Sequence, residues 1–344
     1  MLLHSNGDHG VIPRIVGILG LGLIGQAVVE SLRKRGFQPV HFQKLGWESP
    51  HRLRNELMES NGLLQSVCAG QRTTSGPSEA GKHANQPRGV FELIWCAGRA
   101  GFAATDRECD CELAAFDTVL QWAEEIANSQ GIQVHVSMMS SAGGLYEGQQ
   151  RVDEQSPCRP SRPYGTLKLA QEYCLRESHK LSLRRVYRPS SVYGWLRSGQ
   201  RKGLIPTLIH NGLRNQETRF DGSFNTLRDY VWVGDVAELV VRSLFPHHDA
   251  VPTNSTRIIA SGQPCSIFQI KQLVEATIGR RLQLKFASQA SNALDTTFSV
   301  NCARDHGSLT DMSVAIRRIA ADFSSNGVWL DVRRPNNSPS QRSA

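Results

Sequence analysis

The spacing of apolar residues at 14–44 predicts a strand, a turn, a helix and a second strand. A run of apolar, strand-forming residues occupies 15–19, and a glycine-rich turn follows it. Apolar positions at 24–32 recur at helical spacing, and the basic stretch that ends in Gly36 is typical of a helix terminus. The second strand then completes a β-α-β unit.

The same alternation continues to about residue 190. Three further helices, three further strands and a polar loop are predicted in this part of the chain: helices at 50–66, at 111–131 and within 161–175, strands at 90–98, 132–144 and 181–194, and a mobile surface loop at 69–89. Strands that alternate with helices favour an α/β fold in which a doubly wound parallel sheet carries helices on both faces.

Beyond residue 190 the alternation gives way to shorter and more varied elements. The segments predicted there are a short helix at 203–213, a turn-rich stretch and helix at 219–245, a strand at 256–262, a helix at 266–279, an isolated strand at 282–286 and a last amphipathic helix at 309–323. This change of pattern favours a second, smaller α+β domain.

Composition excludes several classes of protein. Apolar residues make up 40% of the 344 positions and charged residues 20%, which is ordinary for a globular protein. There is no run of about 18 apolar residues and no secretory signal pattern, so we expect a cytoplasmic protein that does not enter a membrane. The eight cysteines lack zinc-ligand spacing, so we expect reduced thiols and no metal site.

The net charge is +8, from 39 basic and 31 acidic residues. Basic residues occur in small clusters beside the predicted helices and strands, and no RNP, zinc-finger or helix-turn-helix pattern accompanies them. We therefore expect no nucleic-acid partner. The excess of positive charge is a general attraction for anions.

Three glycines point to a dinucleotide. Gly20, Gly22 and Gly25 form a G-x-G-x-x-G between a strand and a helix, where glycine permits a tight turn, close backbone approach to a pyrophosphate, and close packing of the helix. A glycine turn without a ligand is the alternative. The acid that usually holds the ribose is missing, because the second strand ends in Gln43 and Lys44; NAD and NADP both stay open.

A tyrosine and a lysine lie four residues apart at the start of a predicted helix. This spacing places Tyr164 and Lys168 on one helix face. Tyrosine is a poor base at neutral pH, but a neighbouring ammonium group stabilises a phenolate. Ser140 and Ser141 follow a predicted strand at the sheet edge where open parallel sheets place their active sites. An ordinary amphipathic helix with a lysine on its rim is the alternative.

Four motifs in this order resemble one family. The glycine turn, "SSAGGLY" about two dozen residues before "YGTLK", "RPSSVYG" and "RDYVWVGDVA" resemble the extended short-chain dehydrogenase/reductases. Among these the chain is most similar to the NAD-dependent epimerase/dehydratase family that acts on nucleotide sugars, over residues 14–323. The resemblance implies a Rossmann domain at 1–189 plus about 229–262 and a substrate-binding domain at about 190–228 plus 263–325. We expect a disordered tail at 326–344.

The resemblance also implies roles for single residues. Tyr164 would be the acid/base, Lys168 would lower its pKa and hold the nicotinamide ribose, and Ser141 would orient the substrate hydroxyl, with Ser140 as the fallback. Arg228 would bind the substrate's diphosphate, which suits the planar fork of a guanidinium; a turn contact through Asp229 is the alternative. The remaining contacts expected are Gly20, Gly22, Leu23, Ile24, Gly25, Gln43, Lys44, Ala97, Gly98, Pro189 and Ser191 at the cofactor, and Leu204 and Ile205 at the nucleotide.

Departures from the family pattern are few. The glycine motif usually begins one position earlier, where this chain has Leu19, and Glu112 stands where an asparagine that supports the active site is common. Tyr146 and Tyr193 are expected to pack rather than to catalyse. The serine, tyrosine and lysine are all present, so we expect an active enzyme.

The expected activity is an epimerase or a 4-ketoreductase that acts on a nucleotide-diphosphate sugar through a 4-keto intermediate. A dehydratase is disfavoured because the loop at Ser141 continues with alanine and glycines in place of an acidic pair. We expect a homodimer. The alternatives are an NADPH-dependent reductase of another carbonyl compound and a non-catalytic regulator that binds NAD(P).

Overall fold

A computed structural model describes residues 2–5, 14–70, 89–129, 131–196, 203–245, 254–287, 294–304 and 307–325. The loop predicted at 69–89 lies outside the described residues between 71 and 88. The tail predicted at 326–344 lies entirely outside them.

Helices and strands are numbered in chain order. The strands are β1 Leu2–Ser5, β2 Arg14–Leu19, β3 Gln38–Phe42, β4 Val90–Trp95, β5 Gln133–Met139, β6 Leu183–Pro189, β7 Ser191–Tyr193, β8 Thr218–Asp221, β9 Leu227–Trp232, β10 Ser255–Ile259, β11 Pro264–Ser266 and β12 Leu284–Ala287. The helices are α1 Leu23–Lys34, α2 Pro50–Gly70, α3 Asp106–Ser129, α4 Ala142–Leu145, α5 Pro163–Glu177, α6 Leu204–Leu213, α7 Val233–Leu244, α8 Ile267–Ile278, α9 Asn301–Arg304 and α10 Met312–Phe323. Within the part of the chain that the structure describes, no helix is long and apolar enough to cross a membrane.

The chain forms two compact units. The first contains Met1–Val192, Arg228–Pro264 and Asp295–Leu309, and the second contains Tyr193–Leu227, Cys265–Leu294 and Thr310–Ala344. Hydrogen bonds tie the late segment of the first unit to its body: the backbone N–H of Gly148 donates to Thr296 Oγ1 over 3.1 Å. Each unit is therefore assembled from stretches that are distant in sequence.

A seven-stranded sheet, in the order β10-β6-β5-β4-β2-β1-β3, forms the centre of the first unit. The five strands from β10 to β2 are parallel, which confirms the predicted doubly wound parallel sheet. The short β1 runs antiparallel between β2 and β3. The sequence pattern did not predict β1, which separates the two strands of the predicted β-α-β unit.

Helices cover both faces of this sheet. The side chains of β4 alternate between two buried clusters: Phe91, Leu93 and Trp95 pack with residues of α2 and α3, whereas Ile94 packs with α1 and α7. Burial of a side chain of this size stabilises the fold by about 1.5–3 kcal/mol. The near-continuous apolar character of β4 follows from this burial on both sides.

In the second unit, α6, α8 and α10 pack against one another, and β8 pairs in parallel with β12. The prediction of an isolated strand at 282–286 is therefore wrong. Its partner lies more than sixty residues earlier in the chain, at Thr218–Asp221, a separation that local periodicity cannot bridge.

A buried cluster of charges lies within the parallel sheet. Glu92 of β4 is fully buried, and its carboxylate contacts Arg14 of β2, His135 of β5 (2.8 Å to Nδ1) and Arg185 of β6 (3.0 Å to Nη1). Burial alone would raise the pKa of Glu92, but the hydrogen bond from His135 and the two guanidinium charges outweigh it and lower that pKa.

Replacement of Glu92 should destabilise the protein strongly. Glu92→Gln leaves the buried guanidinium of Arg185 and the partly buried one of Arg14 without their counter-charge, so we expect the free energy of unfolding in urea at neutral pH to fall by about 3–5 kcal/mol. The control is Glu125→Gln, which breaks the half-exposed pair with Arg54 and should cost less than about 1 kcal/mol. Equal, small losses in both variants would contradict a structural role for the cluster.

The same carboxyl makes stability depend on acid. A carboxyl whose pKa falls on folding contributes fully above its ordinary value of 4.5 and loses that contribution as the pH drops through its lowered folded pKa. The free energy of unfolding of the wild type should therefore fall between neutral pH and strong acid. That of Glu92→Gln should fall much less. Parallel pH curves for the two proteins would count against this assignment.

Candidate active site

The glycine turn lies between β2 and the helix α1 and packs against the loop after β4. Gly20 has a φ of +91°, and a Cβ there would lie 2.3 Å from the backbone of Ala97. A Cβ on Gly25 would lie 1.9 Å from the carbonyl oxygen of Gly20. Only glycine fits at both positions, because a left-handed φ and these approaches exclude larger residues.

The N-terminus of α1 is open. Gly22 is its N-cap residue and is exposed, no atom lies within 4 Å of where its Cβ would be, and the first turn, which begins with Leu23 and Ile24, contains no acidic residue. Its basic residues, Arg33 and Lys34, lie in the last turn. Free backbone N–H groups and the positive end of the helix dipole suit a phosphate group. This cradle fits the pyrophosphate of a dinucleotide.

Tyr164 is the second residue of α5, and its half-buried ring packs beside the loop after β5. The ring centroid lies 5.5 Å from that of Phe102. A Cβ on Gly144 would lie 3.1 Å from the Tyr164 ring. The loop of Ser141 and the start of α5 are therefore in direct contact.

The two serines after β5 have different surroundings. Ser141 is the N-cap residue of α4, and its Oγ accepts a hydrogen bond from the backbone N–H of Gly144 over 3.1 Å. Its hydroxyl hydrogen can still be donated. Ser140 donates its hydroxyl hydrogen to Glu172 inside the protein. Of the two, Ser141 is better suited to hold a substrate oxygen.

Lys168 lies one helical turn after Tyr164, with its Nζ 5.7 Å from the centre of the Tyr164 ring. The ammonium group donates to Glu112 Oε1 over 3.0 Å and to Gln171 Oε1 over 2.9 Å. The side chain is 5% exposed. Sequence reasoning identified the lysine but regarded Glu112 only as a departure from the family pattern.

Behind the serines lies a buried network that sequence reasoning missed. Glu172 accepts hydrogen bonds from Ser140 and from Arg188, and Arg188 Nη1 donates to the hydroxyl of Tyr146 over 2.6 Å. Burial would lower the pKa of Arg188, but its hydrogen bonds and charge interaction with Glu172 raise it. Burial raises the pKa of the Tyr146 phenol. Tyr146 therefore packs, as expected, and fixes the base of the Ser140 loop.

Asp229 of β9 holds the connection between β6 and β7 in place. Asp229 is 1% exposed and accepts hydrogen bonds from Ser190 Oγ over 2.6 Å and from the backbone N–H and Oγ of Ser261, both over 2.8 Å. These bonds fix the position of the neighbouring Pro189, which is buried, and Ser191, which is half-buried. Sequence reasoning assigned Asp229 only a turn contact.

The preceding residue of β9, Arg228, is partly exposed and forms a bridge with Thr296 in the first unit. In the second unit, Leu204 begins α6 and is partly exposed, whereas Ile205 is 1% exposed. Leu204 thus has accessible surface for a ligand, and Ile205 serves the packing of its own unit.

The residues expected to contact the ribose follow the edge strand of the central sheet. Gln43 and Lys44 follow β3, and β1 separates β3 from β2, which places the two strands about 9–10 Å apart. The Gln43 amide donates to the Glu56 carbonyl and accepts from Ser60 Oγ, so both its ends bond to α2. Lys44 is exposed.

Known structures share this fold. UDP-glucose 4-epimerase of Thermus thermophilus in complex with NAD superposes with a TM-score of 0.68 at 18% identity, covering 90% of this chain and 99% of that one. UDP-N-acetylglucosamine 4-epimerase of Bacillus cereus superposes with a TM-score of 0.64 at 16% identity, covering 95% of this chain and 98% of that one. RMD of Pseudomonas aeruginosa, complexed with NADPH, superposes with a TM-score of 0.63 at 17% identity, covering 91% of this chain and 99% of that one.

Sequence comparison gives the family. A 150-residue stretch, 42% of this chain, is 29% identical to the "Putative UDP-glucose 4-epimerase" of Methanocaldococcus jannaschii and spans 47% of that relative, about half of its length. The model of the NAD dependent epimerase/dehydratase family matches residues 16–256, which is more than half of the chain. The chain belongs to the NAD dependent epimerase/dehydratase family.

Proposed function

We propose that this protein is an NAD(P)-dependent epimerase or 4-ketoreductase that acts on a nucleotide-diphosphate sugar through a 4-keto intermediate. The observation that carries the proposal is the grouping of Ser141, Tyr164 and Lys168 at the carboxyl edge of the parallel sheet. Open α/β sheets bind their ligands at this edge. The named activities of the relatives support the choice of a nucleotide sugar.

The first unit would hold the cofactor. The open N-terminus of α1 suits the pyrophosphate, and Lys168 suits the nicotinamide ribose. An NAD(P) cofactor held there would supply the acceptor and donor of the hydride exchanged with C4 of the sugar. The residues proposed to contact the cofactor are Gly20, Gly22, Leu23, Ile24, Gly25, Ala97, Gly98, Tyr164, Lys168, Pro189 and Ser191.

Proton transfer falls to Tyr164. Its hydroxyl would take the proton from the C4 hydroxyl as C4 is oxidised and return one as the 4-keto group is reduced. Ser141, whose hydroxyl hydrogen is free to be donated, would hold the C4 oxygen in place. The loop contact between Gly144 and the Tyr164 ring keeps the two hydroxyl groups on neighbouring elements.

The sugar's diphosphate would bind Arg228, whose guanidinium can bond phosphate bidentately. Leu204, partly exposed at the start of α6, is proposed as a nucleotide contact. The solved structures of similar proteins include complexes with NAD and with NADPH, so they do not decide between NAD and NADP. The exposed Lys44 favours a 2′-phosphate, and the Gln43 amide is already bonded to α2.

We further propose a cytoplasmic homodimer. The seven cysteines whose side chains the structure describes are free thiols, as is usual in a reducing compartment. Tyr173, 61% exposed on α5, offers an aromatic contact of the kind enriched at interfaces.

Light scattering should give twice the mass of one chain, and Tyr173→Glu should lower that mass. A wild-type monomer would contradict the dimer.

The first test of function is a panel of UDP- and GDP-sugars, incubated with and without NADPH and followed by product analysis. Conversion without added reductant identifies an epimerase, and conversion only with NADPH identifies a reductase. Tyr164→Phe should lower kcat by about 100-fold or more, because it removes the proton-transfer group. Tyr173→Phe, on the same helix, is the control and should keep full activity. Equal activity in both variants would exclude Tyr164 as the acid/base.

The second test is thermal unfolding with UDP. A ligand of the native state stabilises it by about 2.7 kcal/mol at 100 times its Kd, so UDP should raise Tm. Arg228→Met should lose most of this rise while keeping the rise caused by NAD(P). Arg219→Met, which removes a 75% exposed side chain in the second unit, should behave as the wild type. No rise with any nucleoside diphosphate would overturn the nucleotide-sugar substrate.

A further inference from the structure

Glu112 joins two parts of the site. Its Oε1 accepts the hydrogen bond from Lys168 Nζ, and its Oε2 accepts from the backbone N–H groups of Arg99 and Ala100, each over 3.0 Å. Both members of the ion pair are buried, with Glu112 8% and Lys168 5% exposed. The carboxylate therefore bonds at once to the site lysine and to the loop that follows β4.

This loop also approaches the carboxylate closely. A Cβ on Gly98 would lie 3.2 Å from Glu112 Oε1, so glycine lets the backbone rest against the carboxylate. Gly98 and the preceding Ala97 flank the glycine turn, since Gly20 packs on Ala97. Glu112 thus lies between Lys168 and the backbone that borders the proposed cofactor site.

The charge of this pair has a consequence for the cofactor. An oxidised nicotinamide ring carries a positive charge and a reduced one is neutral, so a lone lysine ammonium beside it would disfavour the oxidised form. A buried carboxylate bonded to that ammonium cancels most of its charge. An asparagine at this position would leave the ammonium uncompensated.

We propose that Glu112 sets the balance between oxidised and reduced cofactor by neutralising Lys168, and so favours binding of the oxidised form. The inference rests on the proposed binding of a nicotinamide dinucleotide in the first unit. It gives Glu112 a specificity role that acts through Lys168. A purely structural role, in which Glu112 only ties down the Arg99–Ala100 backbone, would weaken both forms of the cofactor by the same factor.

The experiment measures Kd for NAD⁺ and NADH, and for NADP⁺ and NADPH, by titration calorimetry. Glu112→Gln keeps the shape and an acceptor oxygen but removes the charge, and it should raise the ratio of Kd for the oxidised form to Kd for the reduced form about tenfold, equivalent to about 1.4 kcal/mol. Lys168→Met should lower the ratio. The double variant should return close to the wild-type ratio, because both charges are then absent.

Two further variants test the interpretation. Glu112→Asn gives a second neutral side chain if the glutamine protein does not fold, and it should raise the ratio in the same direction. Asp117→Asn neutralises an exposed acid on the same helix and should leave the ratio unchanged.

An unchanged ratio in the neutral Glu112 variants, with both cofactor forms still bound, overturns the inference and leaves the proposed function intact. A ratio that rises equally in the Lys168→Met background also overturns it, because Glu112 would then not act through Lys168. If the wild-type protein binds none of the four dinucleotides, the proposed function fails together with the inference.

Discussion

The parallel register of β2, β4, β5 and β6 is the constraint on which the rest of the site depends. Parallel strands end at the same edge of a sheet, so the loops that follow them meet there although they are far apart in sequence. The glycine turn follows β2, the Ala97–Gly98 loop follows β4, and Ser141 follows β5. The helix α5 begins at the same edge, with Tyr164 as its second residue.

Buried charges hold these loops in place, and they do so at a cost. A buried ion pair gains little net stability, because both charges lose their hydration and repay it only when every polar atom is bonded. Glu172 with Arg188 fixes the loop at Ser140, and Glu112 with Lys168 fixes the backbone of the loop after β4. Pairs of this kind at one sheet edge are better explained by positioning than by stability.

The sequence predicted the parts of the site that depend on short spacing. The glycine turn, the Tyr164–Lys168 pair and the alternating strands and helices each lie within a few residues or follow a local period, so the pattern suffices. Glu112 and Lys168 are 56 residues apart, and the groups that donate hydrogen bonds to Asp229 come from two distant segments. Such contacts depend on tertiary packing, which periodicity does not record. The antiparallel β1 and the pairing of β12 with β8 escaped prediction for the same reason, and a glutamate in place of the usual asparagine was the single local sign of the buried pair.

The proposed function requires hydride transfer between a sugar carbon and the nicotinamide. The most direct measurement uses nucleotide-diphosphate hexoses deuterated at C4, mixed with the protein and oxidised cofactor, quenched in acid and analysed by mass spectrometry. We expect deuterium on the extracted nicotinamide, and none when Tyr164 is replaced by phenylalanine. Sugars that keep all of their deuterium while the cofactor acquires none, across the whole panel, would contradict it.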